Sequence, residues 1–559
     1  MSSMSDGFLK AFAVRHFPWV LGLTFWARYA LSSSFRHQFR SDITAYRKLR
    51  SEIGDNFRAS AANKDADCAL LFGFGRIGSC LLEKAMATGF ELAGYFPVIV
   101  APRFWYALKA YKLLGLRNVI STADYQTSLS DGKVDGILGQ IETCADLLNF
   151  VDNGVKVGKY AASTSMRRLR KSGVLDLQDG ETRQVVREQL KLSLEAAECG
   201  RQMFQRFNPK IMLMSDRGYS PYGELFDLCL QRGIPVVVLN ASHRSGQVVF
   251  KSYGRHNQED HFLALSDKTW DQLKKIPWTA DRAKALQDEI FDTYEQGDWY
   301  SEVGTQTNTK IVDNARLSES LGLDPNKKTA VIFPHIFWDA TFFWGKDLFQ
   351  DYEEWFCEVI KLAASNEYLN WIIKIHPANT VKDHRDNVFG EHSEVLAIRK
   401  TLGELPDHIK LLPSATDIST YSVFDVADYC LTVRGTVGIE AACRGIRTLT
   451  AGTGRYDRQG FTTDSDTRGE YLMRLGSLDS IPPMSDAEIE LARRYAYGTF
   501  LVRPTPLSSI DFEYGKDDKA TLSTGMNCVN FDELRSAQDI VSMAVWLRSG
   551  DDDFCRWPQ

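Results

Sequence analysis

The stretch 371–454 constrains the fold of this chain most, because it reads as strand, loop, strand, glycine turn and helix. An apolar run, Trp371–Ile375, ends in His376 and Pro377, and a second apolar run begins at Tyr429. Proline lacks an N–H and cannot continue a strand, so we expect His376 in a loop at the carboxyl end of the first strand. Repeated strand–loop–helix units of this kind predict a parallel α/β domain.

The glycine turn in this stretch is the best candidate for binding an anion. It reads Arg434-Gly-Thr-Val-Gly-Ile-Glu-Ala-Ala442 and leads from the second strand into a helix. The first N–H groups of a helix lack intrahelical acceptors and carry partial positive charge, so a phosphate is stabilised there. Arg434 and Thr436 add side-chain donors. The candidate binding residues of this half are His335, Lys374, Pro377, Arg434, Gly435, Thr436, Val437, Gly438 and Glu440.

Composition narrows the possible partners and cofactors. The 559 residues carry a net charge of -6, which argues against a nucleic-acid partner bound through overall basicity. Ten cysteines are scattered without a C-x-x-C pair, a distribution typical of a reducing cytoplasm and unfavourable to a cysteine-based metal site. Asp464-Ser-Asp466 imitates a D-x-D metal motif, but no strand precedes it. We therefore expect no metal and no cofactor.

A second glycine motif lies near the start of the chain. An apolar run leads into Gly73-Phe-Gly75-Arg-Ile-Gly78, which is a G-x-G-x-x-G pattern. The dinucleotide fingerprint also requires an acidic residue about 20 positions later to hold the ribose. No Asp or Glu occurs between Glu91 and Asp124. The pattern therefore favours a turn that packs a strand closely against a helix, at the start of a Rossmann-like domain, over an NAD site.

Asp216 is the best candidate for a general base. It follows the apolar run 210–215 and precedes Arg217 and Gly218, so its carboxylate lies just past a strand end, where ligands bind in open α/β sheets. Removing the proton of a hydroxyl group near neutral pH requires a positioned carboxylate or imidazole. The alternative is that Asp216 caps the following turn or pairs with Arg217. His243, after the next strand, is a secondary candidate.

Shorter runs predict the remaining elements. Strand-like runs at 118–120, 136–138 and 155–157 alternate with helical stretches, and a long helix is predicted at about 182–207. The acidic run 551–553 is interpreted as a solvated tail. The predicted organisation is an N-terminal amphipathic helical segment at 1–63, a Rossmann-like domain at 64–257, a helical connection at 258–325, a second Rossmann-like domain at 326–510 and a C-terminal crossing segment at 511–559.

The segment 7–40 combines aromatic and basic residues. Its longest uncharged run, Phe17–Ala27, has eleven residues, whereas a membrane-spanning helix needs about 20 apolar residues. Two interpretations remain. One is a pair of helices docked on the protein's own core, and the other is an interfacial helix whose aromatic side chains enter the headgroup region of a membrane beside the basic residues.

Three short motifs together carry a resemblance to a known class of enzymes. The Asp216-Arg217-Gly218 loop, the His376-Pro377 motif and the turn that begins at Arg434 resemble bacterial glycosyltransferases of the GT-B fold. The similarity covers about residues 64–510. It is closest to enzymes that build capsule and other surface polysaccharides from CMP-activated sugars such as CMP-Kdo. The turn departs from the sialyl-type families, because it has Gly-Thr where they have two serines.

The resemblance implies an α/β architecture of two Rossmann-like domains that face a cleft, and a metal-independent transfer reaction. The implied partners are a nucleotide-sugar donor and a growing polysaccharide or glycolipid acceptor, in the cytoplasm or at the inner face of the plasma membrane. Asp216 is implied to take the acceptor proton, and His376, protonated or as a neutral hydrogen-bond donor, to stabilise the leaving phosphate. The residues implied on the acceptor side are Gly73, Gly75, Arg217 and His243.

Three other interpretations remain open. CDP-glycerol glycerophosphotransferases present a similar His-Pro site to a different donor. A nucleotide-sugar epimerase shares the two-domain architecture but needs no separate acceptor. A non-catalytic capsule-assembly scaffold, recruited through the N-terminal segment, would bind no nucleotide.

Overall fold

The computed structural model describes residues 26, 29–57, 65–101, 105–125, 128–171, 174–300, 309–339, 341–386, 388, 390–514 and 522–557. Of the predicted N-terminal segment 7–40, residues 7–25, 27 and 28 therefore lie outside the described residues. From Ser33 onward that segment is a helix, whose N-cap Ser32 accepts a hydrogen bond from the N–H of Phe35.

Fourteen strands form the sheets of the described chain. In chain order they are β1 (Asp67–Phe72), β2 (Tyr95–Ala101), β3 (Val119–Ser121), β4 (Ile211–Met214), β5 (Val236–Ala241), β6 (Gln247–Tyr253), β7 (Thr329–Ile332), β8 (Asn370–Lys374), β9 (Ile409–Leu412), β10 (Tyr429–Thr432), β11 (Arg447–Thr450), β12 (Thr505–Pro506), β13 (Ile510–Tyr514) and β14 (Leu522–Met526).

Helices cover and connect these sheets. In chain order the described α-helices are α1 (Ser33–Ile53), α2 (Cys80–Leu92), α3 (Trp105–Leu113), α4 (Asp131–Leu138), α5 (Cys144–Asn149), α6 (Val157–Leu169), α7 (Gly180–Phe207), α8 (Tyr222–Gln231), α9 (Asp267–Lys275), α10 (Ala280–Glu295), α11 (Asn314–Leu321), α12 (Tyr352–Ser365), α13 (Ala378–Asp386), α14 (Ser393–Leu402), α15 (Thr420–Phe424), α16 (Val437–Cys443), α17 (Arg468–Gly476), α18 (Asp486–Tyr497), α19 (Phe531–Ser536) and α20 (Gln538–Ser549).

The two large sheets repeat one topology. The first has the order β12-β6-β5-β4-β1-β2-β3, and the second has the order β11-β10-β7-β8-β9. Strands β1 to β5 are parallel to their neighbours, and so are β7 to β11. The core of each sheet is thus ordered as in a Rossmann fold, which places ligand sites at the carboxyl ends of the strands. The predicted α/β fold with two Rossmann-like domains is confirmed.

Both faces of each sheet are buried, as apolar strands such as β4 require. In the first domain, Leu70 of β1 faces one core with Val98 and Met212, while Leu71 faces the other with Ile99. The second sheet also has a core on each face. A further cluster packs the connection helices α9 and α10 against α16 and α18. The central strands of the two large sheets are consequently packed from both sides.

The chain returns to the first domain after the second sheet. Met543 of α20 packs against Gly89 of α2 so closely that a Cβ at that glycine would lie 1.8 Å from the Met543 Cε. Arg548 donates a hydrogen bond to the carbonyl of Leu92 at 2.7 Å. The interpretation of 551–553 as a solvated tail is wrong at Asp553, which is buried and accepts from Lys251 at 3.1 Å.

Two of the predicted short strands are wrong. Residues 136–138 belong to α4, and Val155 makes only an isolated bridge with Asp152 before α6 begins at Val157. Short apolar runs do not distinguish a strand from a buried helix. The run at 118–120 does form β3, and the long helix α7 extends from Gly180 to Phe207.

Within the described ranges, every helix is either too short or too polar to span a membrane.

Candidate functional site

A cavity of about 230 Å³ opens at the carboxyl ends of β7, β8 and β10. Each strand end contributes a short loop to its wall, because parallel strands end at the same edge of a sheet. The connection adds Tyr294, Trp299 and Tyr300 to the wall. His376 and seven of the nine predicted donor-binding residues line this one cavity: His335, Lys374, Pro377, Gly435, Thr436, Val437 and Glu440.

Lys374 is the residue of the cavity that most strongly favours an anionic ligand. It is the last residue of β8 and is 2% exposed. Its ammonium group has no hydrogen-bond or ion-pair partner among the described residues, and burial lowers its pKa to about 8. At pH 7 the side chain is therefore still largely charged. A buried charge without a partner is costly, so the site is stabilised when an anion enters it.

His376 presents one ring nitrogen to the cavity. The N–H of Ala378 donates to its Nδ1 at 3.2 Å, so that nitrogen is the acceptor and Nε2 carries the proton. Burial, and then the charge of Lys382, lowers the pKa of His376 to about 4. The ring is neutral at pH 7, which favours the neutral hydrogen-bond donor of the two predicted forms. Ser414 holds the loop by donating to the carbonyl of His376 at 2.9 Å.

His335 supports the glycine turn from below. Its Nε2 accepts from the N–H of Arg434 at 3.2 Å, and its ring stacks on Tyr352 with centroids 4.4 Å apart. Burial and the charge of Arg434 lower the pKa of His335 well below its usual range. This histidine is therefore neutral, and its bond to the backbone fixes the position of the turn at the cavity edge.

Two backbone N–H groups of the glycine turn donate hydrogen bonds within the turn itself. The N–H of Gly435 donates to Thr432 Oγ1 at 3.2 Å, and that of Gly438 donates to the carbonyl of Gly435 at 3.0 Å. Helix α16 is only seven residues long, so its dipole is small. Anion binding at this helix start stays a prediction, and the cavity's formal positive charge comes from side chains.

Arg455 supplies a second cation that the sequence analysis missed. One of its nitrogens donates to the carbonyl of Arg434 at 3.0 Å, and another donates to Thr436 Oγ1. It follows the glycine loop 451–454 after β11, at the same sheet edge as Lys374. That position after a strand and a glycine loop was the signal that could have identified it.

Two predicted donor-binding residues do not line the cavity. The buried guanidinium of Arg434 pairs with Asp347 and also donates to the carbonyl of Lys346 at 3.3 Å, so it points away from the cavity. A Cβ at Gly438 would lie 2.0 Å from the hydroxyl oxygen of Tyr456, which itself donates to the turn at Gly435. Gly438 is thus needed for close packing.

The aromatic wall comes from the end of the connection. Tyr294 and Trp299 stack with ring centroids 4.9 Å apart, and the hydroxyl of Tyr294 donates to the carboxylate of Glu440. Burial raises the pKa of Glu440 to about 7, so the carboxyl group is partly ionised at neutral pH. The wall therefore offers flat apolar surface together with an acceptor for hydroxyl groups.

Asp216 lies in the other domain, directly after β4. Its Oδ1 accepts from the N–H of Gly218 at 2.8 Å, so the carboxylate does cap its own turn. Burial raises its pKa, whereas that hydrogen bond and the charge of Arg167 lower it. A carboxylate with a raised pKa is a stronger base than one with an ordinary pKa, so capping and proton transfer are compatible.

The glycine loop of the first domain already holds a carboxyl group of the protein itself. Glu83 of α2 is buried and its Oε1 accepts from the N–H of Phe74 at 2.7 Å and from Ser79 at 3.0 Å. A Cβ at Gly73 would lie 2.8 Å from that oxygen, and Gly75 has a φ of 64°. A dinucleotide phosphate here would meet the carboxylate, which agrees with a packing turn.

Two residues predicted on the acceptor side serve packing instead. Arg217 is 4% exposed, donates to the carbonyl of Asp260 at 2.7 Å and lies over the ring of Trp344. His243 is buried and bonded to Glu289 at 2.9 Å. Their side chains are therefore committed within the protein, because the loops that follow β4 and β5 fold back onto the connection.

In the ranges that the structure describes, no cluster of three or more His, Cys, Asp or Glu side chains is arranged to hold an ion. Asp464 of the D-x-D sequence accepts from Thr450 Oγ1 at 2.6 Å and from the N–H of Arg458. Asp464 thus holds its own loop against β11 through these hydrogen bonds.

Comparison with known proteins shows fold similarity only. No family model matches the sequence, and no curated protein matches it. Among solved structures, the chain is similar to the β-Kdo 2,4 transferase of KpsC from Thermosulfurimonas dismutans, with 11% identity over 58% of this chain and 87% of that chain and a TM-score of 0.33. The β-Kdo 2,7 transferase of that protein is 14% identical over 58% of this chain and 85% of that chain, with a TM-score of 0.32.

A UDP-GlcNAc 2-epimerase from Neisseria meningitidis is similar over 77% of this chain and 95% of its own, with 10% identity and a TM-score of 0.26. Glycosyltransferases and epimerases therefore both occur among the similar folds. At identities of 10–14% these similarities concern the fold alone.

Proposed function

We propose that this chain is a glycosyltransferase that moves a sugar from a nucleotide-activated donor to a surface polysaccharide or glycolipid acceptor. The observation that carries the proposal is Lys374, a buried lysine at the end of a Rossmann strand whose ammonium has no partner among the residues that the structure describes. A donor phosphate supplies the missing anion. We favour a CMP-sugar such as CMP-Kdo, on the resemblance of the sequence motifs.

The donor side of the reaction follows from the cavity. The phosphate lies between Lys374 and Arg455, and the Nε2–H of His376 donates to the oxygen that becomes negative when the sugar leaves. Such a donor is worth more in the transition state than in the ground state, because the charge is still developing. Glu440 accepts from hydroxyl groups of the nucleotide, and Tyr294 and Trp299 provide surface for its rings.

The acceptor side is assigned to Asp216. Its carboxylate takes the proton of the attacking hydroxyl group, and its raised pKa strengthens it as a base. Approach of the two domains brings acceptor and donor together and excludes water, which would otherwise hydrolyse the donor. The reaction requires no metal in this account, because side chains neutralise the leaving phosphate.

The test is release of CMP from CMP-sugars in the presence of candidate acceptors. His376→Ala is expected to lower turnover by about 100-fold or more. Asp216→Asn is expected to abolish transfer while nucleotide binding is retained, since Asp216 does not line the cavity. Exposed Asp486→Asn is the matched control and should transfer normally. Near-normal transfer by either of the first two variants contradicts its assigned role.

A CDP-glycerol glycerophosphotransferase would use the same phosphate site. Its product distinguishes it from a CMP-sugar transferase. It adds phosphorus to the acceptor, whereas a CMP-sugar transferase adds none. Mass spectrometry of the acceptor therefore distinguishes the two activities in the same reaction mixture.

We also propose that the chain works in the cytoplasm at the inner face of a membrane, through residues 7–40 and helix α1. The buried side chains of Leu49 and Ile53 anchor the end of α1, while Arg40 and Arg47 are exposed. Ahead of the helix, Trp26 is 63% exposed and Leu31 is 87% exposed, and basic residues beside apolar ones suit an anionic membrane surface. Deleting residues 1–45 should abolish co-sedimentation with anionic liposomes, and unchanged co-sedimentation refutes this proposal.

A further inference from the structure

One carboxylate joins the two halves of the proposed site. Tyr219, three residues after Asp216, donates from its hydroxyl to Asp339 Oδ1 at 2.6 Å. Lys382 donates to the other oxygen, Oδ2, at 2.7 Å. Lys382 belongs to α13, which begins two residues after His376. Asp339 is therefore bonded both to the loop of the candidate base and to the helix that follows the candidate leaving-group donor.

The surroundings of this contact are cationic and aromatic. The guanidinium of Arg170 lies 3.7 Å from the ring centre of Trp338, and Lys382 lies 5.0 Å from the same ring. Phe343 stacks on Tyr160 of the first domain with centroids 5.1 Å apart. The Asp339 side chain is 40% exposed, and the adjacent charge of Lys382, with which it pairs, holds its pKa far below the usual range. Asp339 is thus a permanently ionised link between the domains.

The negative charge of Asp339 acts on Asp216. The groups that face Asp216 are the backbone N–H groups of Gly218 and Arg217, the guanidinium of Arg167 from α6, the carboxylate of Asp339, and the hydroxyls of Tyr219 and Tyr222. Burial is the main reason that the pKa of Asp216 is raised, and Asp339 adds to it by repulsion. Neutralising Asp339 removes that repulsion and leaves the other groups in place.

We propose that Asp339 is a positioning residue for sugar transfer, which fixes the Asp216 loop against the His376 side of the cleft through Tyr219 and Lys382. The inference rests on the proposed function, because it assumes that Asp216 is the base. It goes beyond that function by assigning the geometry of the closed cleft to a single carboxylate that bonds both domains.

The test uses the full chain with Asp339→Asn, which keeps the shape of the side chain and removes its charge. Glu488→Gln is the matched control, because Glu488 pairs with Arg447 inside the second domain at 2.6 Å. Hydrogen exchange of the loop 215–221 is expected to be at least about tenfold faster in Asp339→Asn and unchanged in the control. Unchanged exchange in Asp339→Asn overturns the proposal without reference to activity.

The second readout is the pH profile of transfer. Asp339→Asn is expected to lower kcat about tenfold or more at unchanged donor KM, and to move the acid limb to lower pH because ionised Asp216 is no longer opposed. A purely structural role would scale the whole profile without moving the limb, and that result overturns the positioning role. Wild-type protein that transfers no sugar refutes the proposed function and the positioning role together, while faster exchange in the variant would still show the bond between domains.

Discussion

Replacing Lys374 by methionine is expected to change stability and ligand binding in opposite directions. Burial lowers the pKa of this lysine from 10.5 to about 8. Each pKa unit corresponds to about 1.4 kcal/mol, so keeping the ammonium charged in the folded protein at pH 7 costs roughly 3 kcal/mol. Methionine has a similar length and no charge. The unliganded variant should therefore be more stable than the wild type by about that amount.

The pH dependence of this difference follows from the direction of the shift. The unfolded chain holds the lysine proton up to about pH 10.5, whereas the folded chain releases it at about 8. Between these values the unfolded state binds more protons, so rising pH relieves the cost in the wild type. The advantage of Lys374→Met is full below pH 8 and vanishes toward 10.5. Exposed Lys133→Met is the control and should show no such difference.

A phosphate ligand favours the wild type over Lys374→Met, because the ammonium of Lys374 then has an anionic partner. A hydrogen bond to a charged group contributes about 1.5–3 kcal/mol, so Lys374→Met should weaken CMP binding by roughly 10- to 100-fold. Thermal unfolding at pH 7 with and without CMP measures both effects, and about 3 kcal/mol corresponds to roughly 6–12 °C for a domain of this size. A variant that melts below the wild type and keeps the CMP-induced shift would refute the reasoning.

Three further predictions concern other parts of the chain. Asp553→Ala should lower the free energy of unfolding by about 3–5 kcal/mol in urea, because buried Lys251 loses its carboxylate, and a loss below about 1 kcal/mol would contradict that. Gly438→Ala should destabilise by about 1–3 kcal/mol through its clash with Tyr456, and Tyr456→Phe should relieve part of the loss; an equal loss in the double variant would argue against the clash. His376 should remain neutral from pH 8 to 5 in an NMR titration, since its pKa is about 4, and a ring that titrates near 6.5 would be inconsistent with its burial.

Much of the fold and the grouping of the cavity residues could be predicted, because both depend on strand periodicity. His335, His376 and Gly435 follow three different strands, and parallel strands end at one sheet edge, so the sequence pattern alone brings them together. The order of the strands was not predicted, because the same strand–helix repeat occurs with more than one strand order. Short runs such as 155–157 were misread, because a few apolar residues suit either a strand or the start of a helix.

Side-chain direction could not be predicted in the same way. Arg434 and Arg455 both follow strand ends, yet Arg434 turns to Asp347 while Arg455 reaches the cavity. That choice depends on a carboxylate 87 residues away in sequence. Glu83 likewise fills the first glycine loop through tertiary packing, which a G-x-G-x-x-G pattern does not reveal.

The most direct test of the central claim is isothermal titration of the purified chain with CMP, CDP, UDP, GDP and NAD. We expect CMP to bind, NAD not to bind, and the CMP affinity to fall in Lys374→Met and His376→Ala but not in Asp216→Asn. Tight binding of UDP or GDP instead would keep the phosphate site and change the donor. Binding of none of these nucleotides, or CMP binding that survives unchanged in Lys374→Met, would contradict the account.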